Sequence, residues 1–437
     1  MLQATSPPFQ KGVLAVHTVI IGNGIAGNAV AFDLRKINST NKVTIISAED
    51  CQAYDPGALP YYVSSDVPRK EVFMKTLEDY QRENIELLLG KKVVAIHPDH
   101  KTISLENGED MAYDNLVIAT GGNPVIPPFP GIDKKGVFGC KSLLDADQLA
   151  LHHGKSAVVI GSGLIGIEVS EALKKKGYEV TMVELLGWIM PRVFDKEPAE
   201  QLAASLVRNG IHVLTNEKVL SIEGDTSVQG VTTDKRSIPC DTVVLAVGVA
   251  PANKLATNAG LEIGNTGGIK VNQRMVTSVP DIYACGDCVE SWDAFSGDSA
   301  LYQLRHNALE QGQVIAKASC GIDTNYRGAW SFTRVHYFDT YAISLGRTYA
   351  SLHKKNEVEI IEKSRLDGFS RLILKNGILI GAQLIGKYTN DAGFLFGALW
   401  RRDNFNKLKE NWKSVVQLNS PYPWNYRVLG KYLNFDK

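Results

Sequence analysis

Near the start of the chain, two short apolar runs flank a stretch with helical spacing. Val16-His17-Thr18-Val19-Ile20-Ile21 is rich in β-branched residues and short enough for a buried strand. An Ala-rich helical pattern runs to about Lys36, and Val43-Thr44-Ile45-Ile46 is a second β-branched run. Between strand and helix lies Gly22-Asn23-Gly24-Ile25-Ala26-Gly27, so the pattern reads strand, glycine turn, helix, strand. The whole unit then recurs. Ala157-Val158-Val159-Ile160 runs into Gly161-Ser162-Gly163-Leu164-Ile165-Gly166, a helix follows to about Lys176, and Val180-Thr181-Met182-Val183 closes on Glu184.

The other segments are read in the same way. Cys51 to Tyr62 is a Pro/Gly-punctuated loop rich in aromatics, and a helical stretch covers Leu77 to Arg82. Short strands are expected over Glu86–Leu89 and Val93–His97, with a hairpin from Lys101 turning at Asn107-Gly108. Leu116-Val117-Ile118 is a buried strand ending in Ala119-Thr120-Gly121-Gly122, and Val243-Val244-Leu245 ends likewise in Ala246-Val247-Gly248. The proline-rich stretch from Asn123 to Gly131 suits a crossover between domains. Asp281 to Asp287 is apolar and ends in Gly286-Asp287, and a helix is expected from about Asn307 to Ser319. From about Arg327 the composition changes: Phe332, Val335, Tyr337 and Phe338 suggest strands, as do Arg371–Leu374 and Ile378–Leu384, and Trp400, Trp412 and Trp424 follow. That region carries no glycine fingerprint and reads as a third, α+β domain.

Each glycine of such a turn has a physical task. The first permits the tight turn, the second lets backbone approach a pyrophosphate, and the third lets helix pack on strand. The helix N-terminus adds unpaired N–H groups and a positive dipole end. Two matches with full context point to two dinucleotides. Glu184 closes the second strand of the second unit; a carboxylate there accepts ribose hydroxyls and repels a 2′-phosphate, which favours NAD(H) over NADP(H).

Composition narrows the function classes. The 437 residues suggest two or three domains, and 44% hydrophobic with 22% charged residues is ordinary for a globular protein. Zero formal net charge and no basic tract argue against nucleic acid or an anionic membrane surface. No apolar run approaches the roughly 20 residues of a membrane span. Residues 1–12 lack a signal-peptide core and read as a loose tail. The six cysteines are dispersed, so a reducing, cytoplasmic setting is expected. Only Cys285 and Cys288 have ligand-like spacing, and without a second pair an iron–sulfur cluster would belong to a partner.

In combination these motifs resemble the two-dinucleotide-fold flavoprotein reductases, the pyridine nucleotide–disulfide oxidoreductase superfamily. The resemblance runs over nearly the whole chain from about Val13. It is strongest to the branch holding CoA-disulfide reductases, NADH oxidases and peroxidases, and rubredoxin reductases. The fold implied is α/β, with two Rossmann-like, glutathione-reductase-like domains and a C-terminal α+β interface domain. By the resemblance, residues 13–122 and 250–325 form the FAD domain, 123–249 the NAD(H) domain, and 326–437 the interface domain. FAD would then lie against Gly22, Gly24, Ile25, Ala26 and Gly27, Ala119, Thr120 and Gly121, and Gly286. Asp287 would hydrogen-bond the ribityl chain, and a helix beginning near Ala308 would aim its positive end at the flavin. Ser47 stands where many relatives carry the adenosine-ribose Glu, so Glu49 takes that role here, with Asp50 behind it. NAD(H) would lie against Gly161, Gly163, Leu164, Ile165, Gly166, Glu184 and Gly248, with Glu168 near the nicotinamide and the flavin N5.

The loop before Ala58-Leu59-Pro60-Tyr61 departs from these relatives. Gly57 occupies the place of the redox cysteine, and Pro56 the place where the rubredoxin-reductase-like branch has a basic residue. Cys51 is a remote substitute, and Cys285-Gly286-Asp287-Cys288 overlaps the flavin-binding turn, where small buried residues are expected. Glu168, Gly57 and Tyr61 therefore mark the reacting region, with Tyr61 and Tyr62 as candidates to line an opening for an acceptor. The resemblance implies hydride transfer between NADH and FAD, in either direction, with electrons exchanged directly with an external group. The expected partner is an iron–sulfur protein or subunit, as in multi-subunit aldehyde or 2-oxoacid oxidoreductases. A self-sufficient NADH oxidase or quinone/dye reductase, and a non-catalytic FAD-binding subunit, are the alternatives. The C-terminal domain would make either a homodimer or a hetero-complex, with Tyr422 in the altered tail Leu418–Trp424 reaching toward a flavin site or simply packing.

Overall fold

The computed structural model describes residues 16–410. The tail 1–12, Trp412 and the segment 418–424 lie outside the described residues. The chain divides into two compact units. One runs to Tyr54 and includes Phe73–Asn123 and Ala250–Ala329; the other comprises Asp55–Val72, Pro124–Val249 and the chain from Trp330 on.

The first unit is built on a five-stranded sheet in the order Ile282–Ala284, Asn115–Ile118, His17–Ile21, Lys42–Ile46, Glu86–Leu88. Every pairing is parallel, with Ile21 opposite both Ile46 and Ile118. Parallel strands are covered on both faces, which is why they read as continuous Val/Ile runs. Val19, Ile20, Ile45, Leu116 and Val117 are fully buried, each contributing about 1.5–3 kcal/mol. The helices Ile25–Ile37 and Arg305–Ser319 pack at Gly312, where a Cβ would lie 2.7 Å from that of Ala29. The expected hairpin forms a three-stranded antiparallel sheet, Val93–His97, Thr102–Leu105 and Asp110–Ala112.

One boundary needs correction. The helix expected to begin near Ala308 begins at Arg305, because Leu304 ends the extended approach and serves as its N-cap. The Ala308 amide is spent on the Leu304 carbonyl at 3.1 Å, so Ala308 is not among the free N–H groups of that helix end.

The second unit repeats the parallel sheet in the order Ile211–Leu214, Glu179–Val183, Ser156–Ile160, Thr242–Leu245, Val137–Phe138. Ile160 sits opposite Val183 and Leu245. The Pro/Gly loop after Tyr54 is more ordered than expected. Asp55 accepts the Gly57 amide at 3.0 Å, and the turn Pro56–Ala58 runs directly into the helix Leu59–Val63. From Phe332 an antiparallel five-stranded sheet forms, with Val358–Arg365 at one edge, followed by the helix Ala392–Arg401. Asp195 fixes this sheet to the dinucleotide fold inside the unit. It is buried, pairs with Arg371 at 3.1 Å, and accepts from Gln383, Tyr349 and Ala350.

Candidate dinucleotide sites

In each unit the glycine turn sits at the carboxyl end of the first strand, where the strand order reverses. That is the crevice in which doubly wound sheets bind ligands. Gly22 has φ +118 and donates to the Ile46 carbonyl at 2.9 Å; a Cβ would lie 2.2 Å from the Ala119 oxygen. At Gly27 a Cβ would lie 2.1 Å from the Gly22 oxygen, so both positions are closed to side chains by backbone. Gly24 differs: a Cβ there would meet nothing within 4 Å. It is exposed, and as N-cap of Ile25–Ile37 it offers no side chain to the helix amides. The helix end next to Ile25 and Ala26 is thus open to an anion.

The second turn has the same geometry. Gly161 has φ +103 and donates to Val183 at 2.8 Å, and a Cβ would lie 2.4 Å from the Ala246 oxygen. Gly166 is closed by the Gly161 oxygen at 2.1 Å, and Gly163 is open, as N-cap ahead of Leu164 and Ile165. Gly121 and Gly248, past the neighbouring strands, also have positive φ and open space at the Cβ position. Both cradles fit a dinucleotide phosphate.

The remaining residues of the first site are held as follows. Thr120 donates its hydroxyl to the Ala252 carbonyl at 2.7 Å. Gly286 has φ +81, and its amide donates to the Gln311 side chain at 2.8 Å. Asp287 is partly exposed, and its carbonyl accepts from Gln303. Glu49 is exposed and accepts the Tyr54 hydroxyl at 3.1 Å, while Ser47 is buried and donates to the Glu49 carbonyl.

Sequence reasoning missed what supports the first turn. Asn28 donates to the carbonyls of Asn23 and Gly24, each at 2.9 Å, and the buried Tyr80 hydroxyl lies 2.8 Å from Asn28 Oδ1 and 3.0 Å from Asn23 Oδ1. The signal was present: Asn28 interrupts the otherwise apolar buried face of its helix.

In the second turn the corresponding support is charged. Glu184 is buried. Its Oε2 accepts from the Ser162 amide at 3.0 Å and the Ser162 hydroxyl at 2.5 Å, and its Oε1 accepts from the Leu186 amide at 2.8 Å.

Also in the second unit, Glu168, Tyr61, Pro60, Ser64, Glu171, Lys175 and Asp66 line one small cavity. Burial, then repulsion from Glu171 and Asp55, pushes the Glu168 carboxyl up to about 7. Burial, followed by the negative charges of Glu168 and Glu171, raises the Tyr61 phenol. Glu171 is tied to Lys175 at 3.2 Å and to the Phe338 amide at 2.8 Å, and Lys175 reaches Asp66 at 2.8 Å. Gly57 is exposed.

None of the six cysteines is in a disulfide. Cys285 and Cys288 are fully buried; burial holds the Cys285 thiol well above its ordinary value and pushes Cys288 up to about 11. The Cys288 thiol lies 3.2 Å from the Cys285 carbonyl and 3.5 Å from that of Ile118. Thiols in such surroundings are inert as nucleophiles. Among the described residues no cluster of His, Cys, Asp or Glu could hold a metal, and no helix is long and apolar enough to cross a membrane.

Two glycine-turn cradles, each at the switch point of a parallel sheet, define a protein built to hold two dinucleotides. Residues 16–312 match the family described as pyridine nucleotide-disulphide oxidoreductase, and the chain belongs to that family. It is 35% identical over 321 residues to an NADH oxidase of Methanocaldococcus jannaschii, covering 71% of each chain. It is 32% identical to a rubredoxin–NAD(+) reductase of Pseudomonas putida, over 70% of this chain and 80% of that one. An NAD-dependent persulfide reductase from A. fulgidus has a similar structure, with a TM-score of 0.86 and 29% identity, over 90% of this chain and 78% of that one. Some relatives are longer: the chain spans 45% of a nitrite reductase of Bacillus subtilis at 32% identity. The protein is an FAD-dependent NAD(H) oxidoreductase.

Proposed function

We propose that the first glycine turn binds FAD, the second binds NAD(H), and the bound flavin exchanges electrons directly with an iron–sulfur or similar one-electron protein. Flavin supplies the conversion between two-electron hydride chemistry and one-electron transfer. The chain's own contribution is to bind and orient: open helix ends take the pyrophosphates, and Glu184 takes the adenosine ribose of NAD(H). Glu168, with its proton affinity raised into the neutral range, can hold or release a proton beside the nicotinamide position that the family resemblance assigns to it.

The observation that carries the absence of a thiol relay is the state of the cysteines. Position 57 is an exposed glycine, and the only closely spaced thiols, Cys285 and Cys288, are fully buried and held protonated. A name such as rubredoxin–NAD(+) reductase among the relatives supports a protein acceptor; NADH oxidase supports oxygen or a small oxidant instead.

Anaerobic titration with NADH separates these mechanisms. One NADH per FAD should bleach the flavin completely, and a requirement for two would place a dithiol in the circuit. Reoxidation by air should then be slow, and fast by an added iron–sulfur protein. Rapid turnover with oxygen alone would replace the partner reading with the oxidase one.

A further inference from the structure

We propose that Ser162 is a specificity-determining positioning residue, which pins Glu184 so that a single carboxylate oxygen remains to read the adenosine ribose and NAD(H) is taken in preference to NADP(H). The inference rests on the assignment of NAD(H) to the second turn and deepens it. An ionised carboxylate offers about four acceptor positions. The Ser162 amide and hydroxyl occupy both positions on Oε2, and the Leu186 amide occupies one on Oε1. One position is left, so Glu184 can accept one ribose hydroxyl and no more.

The pinning also fixes where the negative charge lies. Ser162 is fully buried and stands between the first two glycines of the turn, so the carboxylate is held against the same backbone that cradles the pyrophosphate. A 2′-phosphate would face that fixed charge. The seven residues past Glu184, Leu185-Leu186-Gly187-Trp188-Ile189-Met190-Pro191, contain no basic side chain, the first being Arg192. Leu185 and Leu186 are 60% and 50% exposed, an apolar surface where a phosphate would want a cation. In the first turn the equivalent residue, Asn23, bonds to no carboxylate; its partners are Asn28, Tyr80 and the Cys51 carbonyl.

The test uses the FAD-loaded enzyme, with Kd for NAD⁺ and NADP⁺ measured by equilibrium titration and KM and kcat for NADH and NADPH measured separately. Ser162→Ala keeps the amide and loses the hydroxyl. It should weaken NAD⁺ roughly tenfold, the size of one lost charge-assisted hydrogen bond. It should leave NADP⁺ within about twofold and raise KM for NADH with kcat little changed. Ser162→Gly adds no atoms to the buried site and serves if the alanine variant does not retain FAD. In a Glu184→Ala background the serine substitution should have no further effect, since the carboxylate its hydroxyl bonds is gone. The inference is overturned if Ser162→Ala leaves the NAD⁺/NADP⁺ preference at its parental value, or if its effect persists undiminished without Glu184. Failure of the parent enzyme to bind NAD⁺ at all would instead overturn the assignment of the second turn.

Discussion

The two glycine turns share a backbone and differ in what holds it. In both, the first glycine has positive φ, donates to the end of the adjacent strand, and is blocked by an alanine carbonyl; the third is blocked by the carbonyl of the first. The side chains then diverge. Amides and a phenol support the first turn, through Asn23, Asn28 and Tyr80. A carboxylate supports the second, through Ser162 and Glu184. Two residues past the third glycine, Ala29 packs closely on Gly312, whereas Glu168 lines a cavity with Tyr61. Crowding of backbone on backbone therefore selects the first and third glycines in both turns, whatever the ligand. Under the proposed assignment, the support around the turns is what distinguishes the FAD site from the NAD(H) site.

The largest expected effect comes from breaking one turn at a time. Gly27→Ala and Gly166→Ala each place a methyl about 2.1 Å from a carbonyl that is itself part of the turn. Neither can relax without opening the cradle, and a displacement of about 1 Å at a positioning group costs on the order of 100-fold. The Gly27 variant should purify with less than about a tenth of the parental flavin absorbance. The Gly166 variant should keep its flavin and be bleached by NADH at least about 100-fold more slowly. The reverse outcome, flavin lost from the second variant and kept by the first, would exchange the two assignments.

A smaller effect separates the amide support from the carboxylate support. Tyr80→Phe removes one hydroxyl that both buried asparagines use. Leaving them short of a partner costs about 1–3 kcal/mol. The flavin should dissociate more readily and the denaturation midpoint should fall, while the Kd for NAD⁺ stays at its parental value. An equal loss of NAD⁺ affinity would show that the two turns are not supported independently.

These contrasts mark what was legible in the sequence. The βαβ units were, because Val/Ile runs report burial on both faces and the first and third glycines report crowding, both local properties. Glu184 was legible as a strand-end acid, but its burial was not, because that depends on Ser162 meeting it across the turn. Tyr80 could not be connected to Asn23 and Asn28, since that network closes between segments far apart in the chain. The start of the helix Arg305–Ser319 was misplaced because no Ser, Thr, Asp or Asn marks its N-cap; Leu304 does that work through the backbone alone. The loop at Gly57 read as irregular because its order comes from one Asp55 side chain and a five-residue helix, too short for periodicity to reveal.

The smallest effect tests the last difference, Glu168 against Ala29. The folded value for Glu168, about 7, lies above the ordinary 4.5. Below about pH 4.5 the carboxyl is protonated in both states and contributes no pH dependence. Between 4.5 and 7 the folded protein keeps a proton that the unfolded chain has released, so stability falls as pH rises, and above 7 the loss is complete. Glu168→Gln is neutral throughout and escapes it. The variant should match the parent near pH 5 and exceed it by about 1 kcal/mol at pH 8, allowing for solvent screening of a partly exposed group. Denaturant midpoints at the two pH values measure the difference. Stability curves for parent and variant that run parallel from pH 5 to 8 would mean Glu168 carries no raised proton affinity, and the cavity beside Tyr61 would then be as neutral in function as the packed surface at Ala29.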